Sequence, residues 1–274
     1  MPVCALPGHT PVPEMKVRRL PVTDHADGGQ DSRLPDKKKS YALLVDSYIR
    51  DLFATGVILH RLDYEVYIAN SGEDALRIID AAMPELVITE FSLQYMSGLE
   101  LLIHLRHTPA TKAIPIIIHT SSKDPTHEAY CRASGCAAFL KKPAEVNALF
   151  SAIQQATKST PRQFIRLRTL LPVRVGGHSL PEAANSVEFV SELSENGLFV
   201  RTLHPRSVET VVPVNLAINS KAIKVKAVVL RSVTMKPGLF KDPGMGLKFI
   251  EISDTDRELI RHFIKVQIMK DITQ

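Results

Sequence analysis

Four polar residues each follow an apolar, strand-like run of the sequence: Asp46, Glu90, Thr120 and Lys142. Because the carboxyl ends of parallel strands meet at one edge of a sheet, we expect the four side chains to lie together. Two acids, a hydroxyl and a lysine at such an edge are typical of a phosphoryl-transfer site. Glu90 stands where the accepting carboxylate is expected, and it is one methylene longer than an aspartate.

Five strand-like runs alternate with helical periods between residues 40 and 158, and this alternation predicts the fold around the four residues. Apolar residues at helical spacing, such as Leu52, Ile58 and Leu59, predict a helix between successive strands. The pattern predicts a doubly wound α/β fold with a five-stranded parallel sheet. The predicted strands are YALLVD, EVYIAN, ELVITE, PIIIHT and AAFLKK.

We expect this α/β domain to span residues 40–158. The residue composition and pattern differ on either side of it. Residues 1–39 are rich in proline and charge, which predicts a disordered arm. Residues 161–270 contain strand-like segments separated by Gly, Pro and Asn, which predicts an all-β domain, a small six-stranded barrel. A C-terminal helix at 254–268, with Ser253 as N-cap, is expected to pack on the barrel.

Composition narrows the class of protein. No run approaches the roughly 20 apolar residues of a membrane span, and prolines interrupt the start where a signal peptide would need an apolar core, so a cytoplasmic protein is expected. The three cysteines lack disulfide or zinc spacing, and Cys131 and Cys136 are expected to be packing residues. Residues 161–274 hold 17 Lys and Arg against 11 Asp and Glu, which favours an anionic partner.

The segment PELVITEFSLQYMSGLELL, residues 84–102, resembles the response-regulator receiver family. In that family a strand ends on a phosphorylatable aspartate, and Met-x-Gly precedes the next helix. The resemblance covers roughly residues 40–158. It implies that Asp46 is one of two magnesium-binding acids, Glu90 the phosphoryl acceptor, Thr120 the hydroxyl that contacts the phosphoryl group, and Lys142, before a cis-proline, the neutralising lysine.

Two departures from the receiver pattern weaken the expected chemistry. Ser47 replaces the second acid, and magnesium is bound by so few carboxylates that the loss of one leaves at most a weak site at Asp46. Phosphoryl transfer depends on positioning, and the longer side chain of Glu90 displaces the attacking oxygen by more than about 1 Å, which can cost about a hundredfold in rate. We therefore expect no ordinary phosphorylation.

Two interpretations of Glu90 remain open. Its charge, reaching toward Lys142 and Thr120, can bias the receiver toward its phosphorylated-like state, although one charge mimics only part of the up to about two charges of a phosphoryl group. Alternatively, Asp46, Glu90 and Lys142 form only a partly buried ion pair. Phe139 stands at the place of the family's aromatic switch residue, and it also fits an ordinary core position.

Two further motifs stand in the second half of the chain, RQFIR at 162–166 and ELSENG at 192–197. They resemble the RxxxR and [D/N]xSxxG signatures of the PilZ family, and GMGLKF at 244–249 fits its closing strand. The resemblance extends over about residues 161–268. It implies that the barrel binds cyclic di-GMP through Arg162, Arg166, Glu192, Ser194 and Gly197.

These residue types suit that ligand. Arginine matches phosphate oxygens bidentately and stacks on purines, a carboxylate and a hydroxyl accept from the guanine N–H donors, and glycine permits close backbone approach. Glu192 replaces the usual Asp or Asn, so recognition either survives with displaced geometry or fails. In the second case, Arg162 and Arg166 are solvated linker charges. Arg168 and Arg174 lie nearby and either contact the anion or face solvent.

The sequence therefore predicts a non-catalytic signal-transduction protein: a phosphorylation-independent receiver, then a PilZ domain that binds cyclic di-GMP and relays it to a protein partner. No cofactor is expected to be required, and magnesium binding stays open. An enzyme is not expected, because no second base or nucleotide-binding glycine loop accompanies the carboxylates. A short linker follows the last receiver helix, predicted at 145–157, and can couple the domains reciprocally.

The partner is expected on the barrel, or on the receiver face formed by the fourth helix, the fifth strand and the fifth helix. Homo-oligomers are also open. The alternative function is an interaction scaffold with neither phosphorylation nor nucleotide binding. Nucleic-acid binding ranks last, because only the high pI favours it and no helix-turn-helix or zinc pattern is present.

Overall fold

The first domain is a parallel sheet, as predicted. The computed structural model describes residues 41–176, 188–235 and 242–272. The strands lie in the order β2-β1-β3-β4-β5, and their pairings are parallel. This confirms the doubly wound, five-stranded sheet. The strands are β1 (Tyr41–Val45), β2 (Glu65–Ala69), β3 (Leu86–Thr89), β4 (Ile116–Thr120) and β5 (Ala138–Lys141).

Helices cover both faces of this sheet, which is why β1, β3 and β4 are buried throughout. Local sequence sets where some of them begin. The Ser71 side chain accepts a hydrogen bond from the Asp74 backbone, and Ser97 forms a capping box with Glu100. The helices are α1 (Ile49–Arg61), α2 (Gly72–Ala81), α3 (Gly98–His107), α4 (Thr126–Ala133) and α5 (Val146–Thr157).

The second domain is a closed antiparallel barrel with strand order β10-β11-β8-β7-β6-β9, which confirms the predicted six-stranded barrel. Exposed and buried residues alternate along β9, so that Val212, Val214 and Leu216 fill the interior. The strands are β6 (Leu167–Val175), β7 (Glu188–Ser194), β8 (Gly197–Arg201), β9 (Val211–Ile218), β10 (Lys221–Val233) and β11 (Gly244–Glu251).

The last helix, α6 (Asp254–Met269), joins the two domains. Ser253 caps it as predicted, accepting a hydrogen bond of 3.1 Å from the Asp256 backbone. The helix packs on β7 and β9 of the barrel, as expected, and also against α1 of the first domain. One apolar cluster runs from Leu59 through Ile260 to Val214. The two domains therefore share a hydrophobic core.

Polar contacts flank this shared core. The Arg61 guanidinium, at the end of α1, donates to the Gln267 carbonyl at 2.9 Å and to Asp271 at 2.8 Å. Lys265 lies 2.8 Å from Glu145, the residue before α5. These bonds link the C-terminal part of α6 to the first domain.

The predicted arm at 1–39 lies outside the described residues. None of the helices within 41–176, 188–235 and 242–272 is long and apolar enough to cross a membrane.

Candidate functional site

The first candidate site surrounds Glu90, which directly follows β3 and is 4% exposed. Both of its carboxylate oxygens are occupied. Oε1 accepts hydrogen bonds from the Phe91 N–H at 2.7 Å, the Ser92 N–H at 3.1 Å and the Thr120 hydroxyl. Oε2 accepts from the Ser121 N–H at 3.2 Å and lies 2.8 Å from the Lys142 ammonium. The longer side chain is thus held by backbone and side-chain donors together.

Lys142 joins three carboxylates. Its Nζ bonds to Asp46 and lies 2.8 Å from both Asp51 and Glu90. The peptide bond to Pro143 is cis, as the resemblance implies. The sequence analysis missed Asp51, which lies in the first turn of α1. A signal was present: this acid follows Asp46 closely, where the first turn of α1 passes the end of β1.

The charges of Glu90 and Lys142 are stabilised by their contacts at this site, whereas burial raises the pKa of Asp46. Burial alone would raise the pKa of Glu90, but hydrogen bonds from Lys142, Thr120 and Ser92 hold it below its usual value. Burial alone would lower the pKa of Lys142, but its bonds to the three carboxylates raise it above its usual value. Glu90 is therefore ionised and Lys142 charged at neutral pH.

The residues at the site do not fit a magnesium ion. The three carboxylates converge on the Lys142 ammonium, which already supplies the positive charge. Within the described ranges, no group of His, Cys, Asp or Glu side chains is arranged to hold a metal ion. The Ser47 hydroxyl is buried without a hydrogen-bond partner, and a neutral oxygen does not replace the missing acid. We therefore derive no step through magnesium.

The loop between β4 and α4 closes against Glu90. The Ser122 N–H donates to the Thr120 hydroxyl at 3.0 Å, and Ser122 Oγ lies 2.7 Å from Nδ1 of His127. The His127 ring stacks on Phe91, with ring centroids 3.9 Å apart. Phe139, at the position of the family's switch residue, is buried in the core.

The second candidate site lies where β6 begins and β7 ends. Arg166 Nη1 lies 3.6 Å from Glu192 Oε2, and both side chains are about half exposed. Arg162 is exposed, and its guanidinium makes no hydrogen bond or ion pair with the described residues. The structure thus brings Arg166 and Glu192 together and leaves Arg162 available on the linker.

The turn between β7 and β8 is fixed by its own contacts. Ser194 Oγ donates to the Gly197 carbonyl at 3.0 Å. A Cβ on Gly197 would lie 2.2 Å from the Leu247 carbonyl oxygen in β11. Strand packing therefore requires glycine here, whether or not a ligand approaches.

The linker and the first strand of the barrel are also bonded to the first domain. The Arg162 N–H donates to the buried Gln154 side chain of α5 at 3.2 Å. Arg168 donates to Asp63, in the turn after α1, at 2.8 Å. Arg168 therefore pairs with the first domain, whereas Arg174 is exposed. The α/β domain therefore lies along one side of the second site.

Known proteins resemble both domains. A family model for the response regulator receiver domain matches residues 42–154, and a model for the PilZ domain matches residues 160–265. Two-component response regulator ORR11 of Oryza sativa is 30% identical over 117 residues, covering 41% of this chain and 80% of that protein. Transcriptional regulatory protein GlrR of Escherichia coli is 26% identical over 251 residues, covering 84% of this chain and 56% of GlrR.

Among solved structures, chemotaxis protein CheY4 of Vibrio cholerae is 26% identical, covers 43% of this chain and 98% of its own, and gives a TM-score of 0.40. The chain spans about half the length of curated relatives such as GlrR and the rice regulator ORR7. Both predicted resemblances are confirmed by the family matches. The chain belongs to the response-regulator receiver family, and a PilZ domain follows its receiver.

Proposed function

We propose that this chain is a non-catalytic, cytoplasmic signalling protein whose PilZ domain binds cyclic di-GMP and relays that signal to a protein partner, while its receiver works without phosphorylation. Receiver and PilZ domains are regulatory domains, and PilZ is known to bind cyclic di-GMP. The proposals that the receiver works without phosphorylation and that this PilZ domain binds ligand rest on the two candidate sites.

The single observation that carries the receiver half is the occupied carboxylate of Glu90. An acceptor must offer a free oxygen in line with the incoming phosphorus, and here both oxygens are held by hydrogen bonds or the Lys142 ammonium. The Thr120 hydroxyl, which the family directs at the phosphoryl group, is bonded to Glu90 instead. This arrangement supports a receiver held in a phosphorylated-like state.

Incubation with acetyl phosphate and magnesium tests the receiver half. We expect no acid-labile adduct by intact-mass spectrometry at neutral pH. An adduct on Glu90 would refute the proposal. A receiver with an aspartate acceptor, incubated in parallel, shows that the reagent is active.

The ligand half of the proposal rests on Arg162, Arg166 and Glu192. The Arg162 guanidinium is unpaired and the Arg166 side chain is about half exposed, which supports their taking phosphate oxygens bidentately. Glu192 lies beside Arg166, where its carboxylate can accept from a guanine edge. Ligand would need to displace only an exposed ion pair, which costs little.

Calorimetric titration with cyclic di-GMP tests this half. The intact protein is expected to bind with micromolar or tighter affinity, and the Arg162→Ala/Arg166→Ala variant is expected to show no binding. A matched control, Lys112→Ala/Lys123→Ala, removes two exposed receiver cations and should bind normally. Absence of heat from the intact protein would remove the ligand-sensor function.

One observation favours the second candidate, a scaffold that binds no nucleotide. Arg166 and Glu192 pair with each other, and the Ser194 hydroxyl is bonded to its own turn. Three of the candidate contacts are thus satisfied without ligand. The same titration separates the two functions, since the scaffold predicts no heat with cyclic di-GMP.

A further inference from the structure

The outer surface of the barrel carries two cations, Arg174 and Lys224, in register on either side of Asn215. Arg174 of β6 pairs with Asn215 of β9, and Asn215 pairs with Lys224 of β10. The flanking residues, such as Val214 and Val225, are buried inside the barrel. Because alternate residues of a strand point to opposite faces, the three polar side chains share the outer face.

Positive charge on this surface is largely unpaired. Lys226 forms an ion pair with Glu251 at 2.8 Å. By contrast, Arg174, Lys224 and Lys248 have no ion pair or hydrogen bond through their side chains with any described residue. We name the surface formed by Arg174, Pro213, Asn215 and Lys224 the basic face.

Apolar groups lie among these cations. Val211 and Ile250 are 54% and 49% exposed, and Pro213 is exposed between them. A depression of about 670 Å³ is lined by Pro213, Asn215, Lys224 and Ile250, together with the Lys226–Glu251 pair and Asp256. The surface thus combines unpaired cations with apolar contact area and room for side chains.

We infer that the basic face docks an acidic segment of a partner protein, with glutamate or aspartate residues placed beside apolar ones. Charge complementarity sets the sign of the partner, because Arg174 and Lys224 form no ion pair with any described residue and the nearby Glu251 is already paired with Lys226. The inference deepens the relay step of the proposed function. It does not involve the cyclic di-GMP site, which lies at the other end of β6, roughly 25 Å from Arg174 at the usual rise per residue.

Other anionic surfaces fit less well. A nucleic acid would need more phosphate contacts and stacking aromatic residues, which the basic face lacks. A membrane-binding surface commonly inserts aromatic side chains, and the basic face has none. A protein segment needs neither feature.

The test uses the full chain and a fluorescently labelled peptide of repeated Glu-Glu-Leu units, followed by anisotropy. The peptide should bind, and a Gln-Gln-Leu peptide should not. The Arg174→Glu/Lys224→Glu variant should lose about tenfold or more in affinity and gain affinity for a Lys-Lys-Leu peptide. The Lys112→Glu/Lys123→Glu control has the same net charge and should keep most of the binding.

Several results would overturn the inference. Equal losses in both variants would mean that net charge alone attracts the peptide. A second contrary result is that the intact chain does not bind the peptide but binds anionic vesicles or duplex DNA. If the Arg174→Glu/Lys224→Glu variant loses that binding, the face belongs to those partners. Should the double variant fail to fold, Lys224→Gln serves instead, with at least a threefold loss expected. Cyclic di-GMP titration of the same variants tests the proposed function separately, because changes in the basic face should leave ligand binding intact.

Discussion

The ammonium of Lys142 lies 2.8 Å from the carboxylate of Glu90, so the residue at the acceptor position is neutralised within the protein itself. The same ammonium bonds to Asp46 and Asp51. Glu90 thus supplies this lysine with a third carboxylate, and the strength of the resulting network can be measured.

Glu90→Gln tests that network. The substitution keeps the shape and removes the charge, leaving Lys142 with two carboxylates. Loss of one partner from a buried ion pair costs up to 3–5 kcal/mol, and the remaining acids reduce the expected cost to about 2 kcal/mol of unfolding free energy in urea. Glu65→Gln, at an exposed strand position, should change stability by no more than about 0.5 kcal/mol. Equal effects would show that the network contributes nothing.

Restoring the receiver acids should restore phosphorylation. In Ser47→Asp/Glu90→Asp, the shorter acceptor withdraws from Lys142 and a second acid becomes available to bind magnesium. We expect a magnesium-dependent adduct from acetyl phosphate in the double variant and much less in either single variant. If the double variant forms none, the block lies elsewhere in the pocket, for instance at Asp51.

Shortening Glu192 should change ligand affinity. Glu192→Asp restores the side-chain length of the PilZ signature and lengthens the gap to Arg166, which is 3.6 Å in this structure. Both effects free the site for cyclic di-GMP, so calorimetry should show affinity about threefold to tenfold tighter, a gain of about 1 kcal/mol. An unchanged dissociation constant would show that the extra methylene is not what limits binding.

The shared core predicts that damage in α6 reaches both domains. Ile260→Ala removes a fully buried side chain from the shared cluster and should cost about 2–5 kcal/mol. Hydrogen exchange should then rise in α1 and in the barrel strands alike. Ile79→Ala provides the control, because Ile79 belongs to the other cluster, on the far side of the receiver sheet. If hydrogen exchange rises in only one domain of the Ile260→Ala variant, the domains unfold independently.

His119 gives the protein a pH dependence of stability. Burial lowers its pKa to about 4, with a smaller contribution from Lys142, against about 6.5 in the unfolded chain. Between these values the unfolded chain binds the extra proton, so the contribution to stability is complete above pH 6.5 and declines as the pH falls toward 4. The whole difference corresponds to about 3 kcal/mol. In His119→Leu, urea unfolding should lose this part of the pH dependence, whereas a parallel decline in both proteins would exclude His119 as its source.

The sequence was sufficient for the fold because each domain repeats a strong local pattern. The run IIIHT is buried throughout because helices cover both faces of the sheet, whereas β9 alternates because one side faces solvent. Motif spacing likewise predicted Glu90, Thr120 and Lys142 as neighbours. Asp51 was missed because a helical acid carries no motif, and its role depends on how α1 approaches Lys142.

Contacts between the domains could not be predicted in the same way. The bond from Arg61 to Asp271 joins residues far apart in the chain, and nothing near either residue specifies its partner. The sequence did predict an amphipathic α6, and its apolar residues were assigned to the barrel alone. Gly197 was interpreted as a ligand contact, while strand packing also demands it. In both cases a single surface or residue meets two requirements, and pattern analysis detects only one.

The position of α6 in the chain has a consequence for biosynthesis. The receiver strands and the barrel strands all leave the ribosome before residues 254–269, which complete the core between them. Each domain can therefore collapse separately while the nascent chain still exposes the apolar surfaces that α6 later covers. Chaperone demand for this protein should therefore peak late in translation, before α6 covers these surfaces.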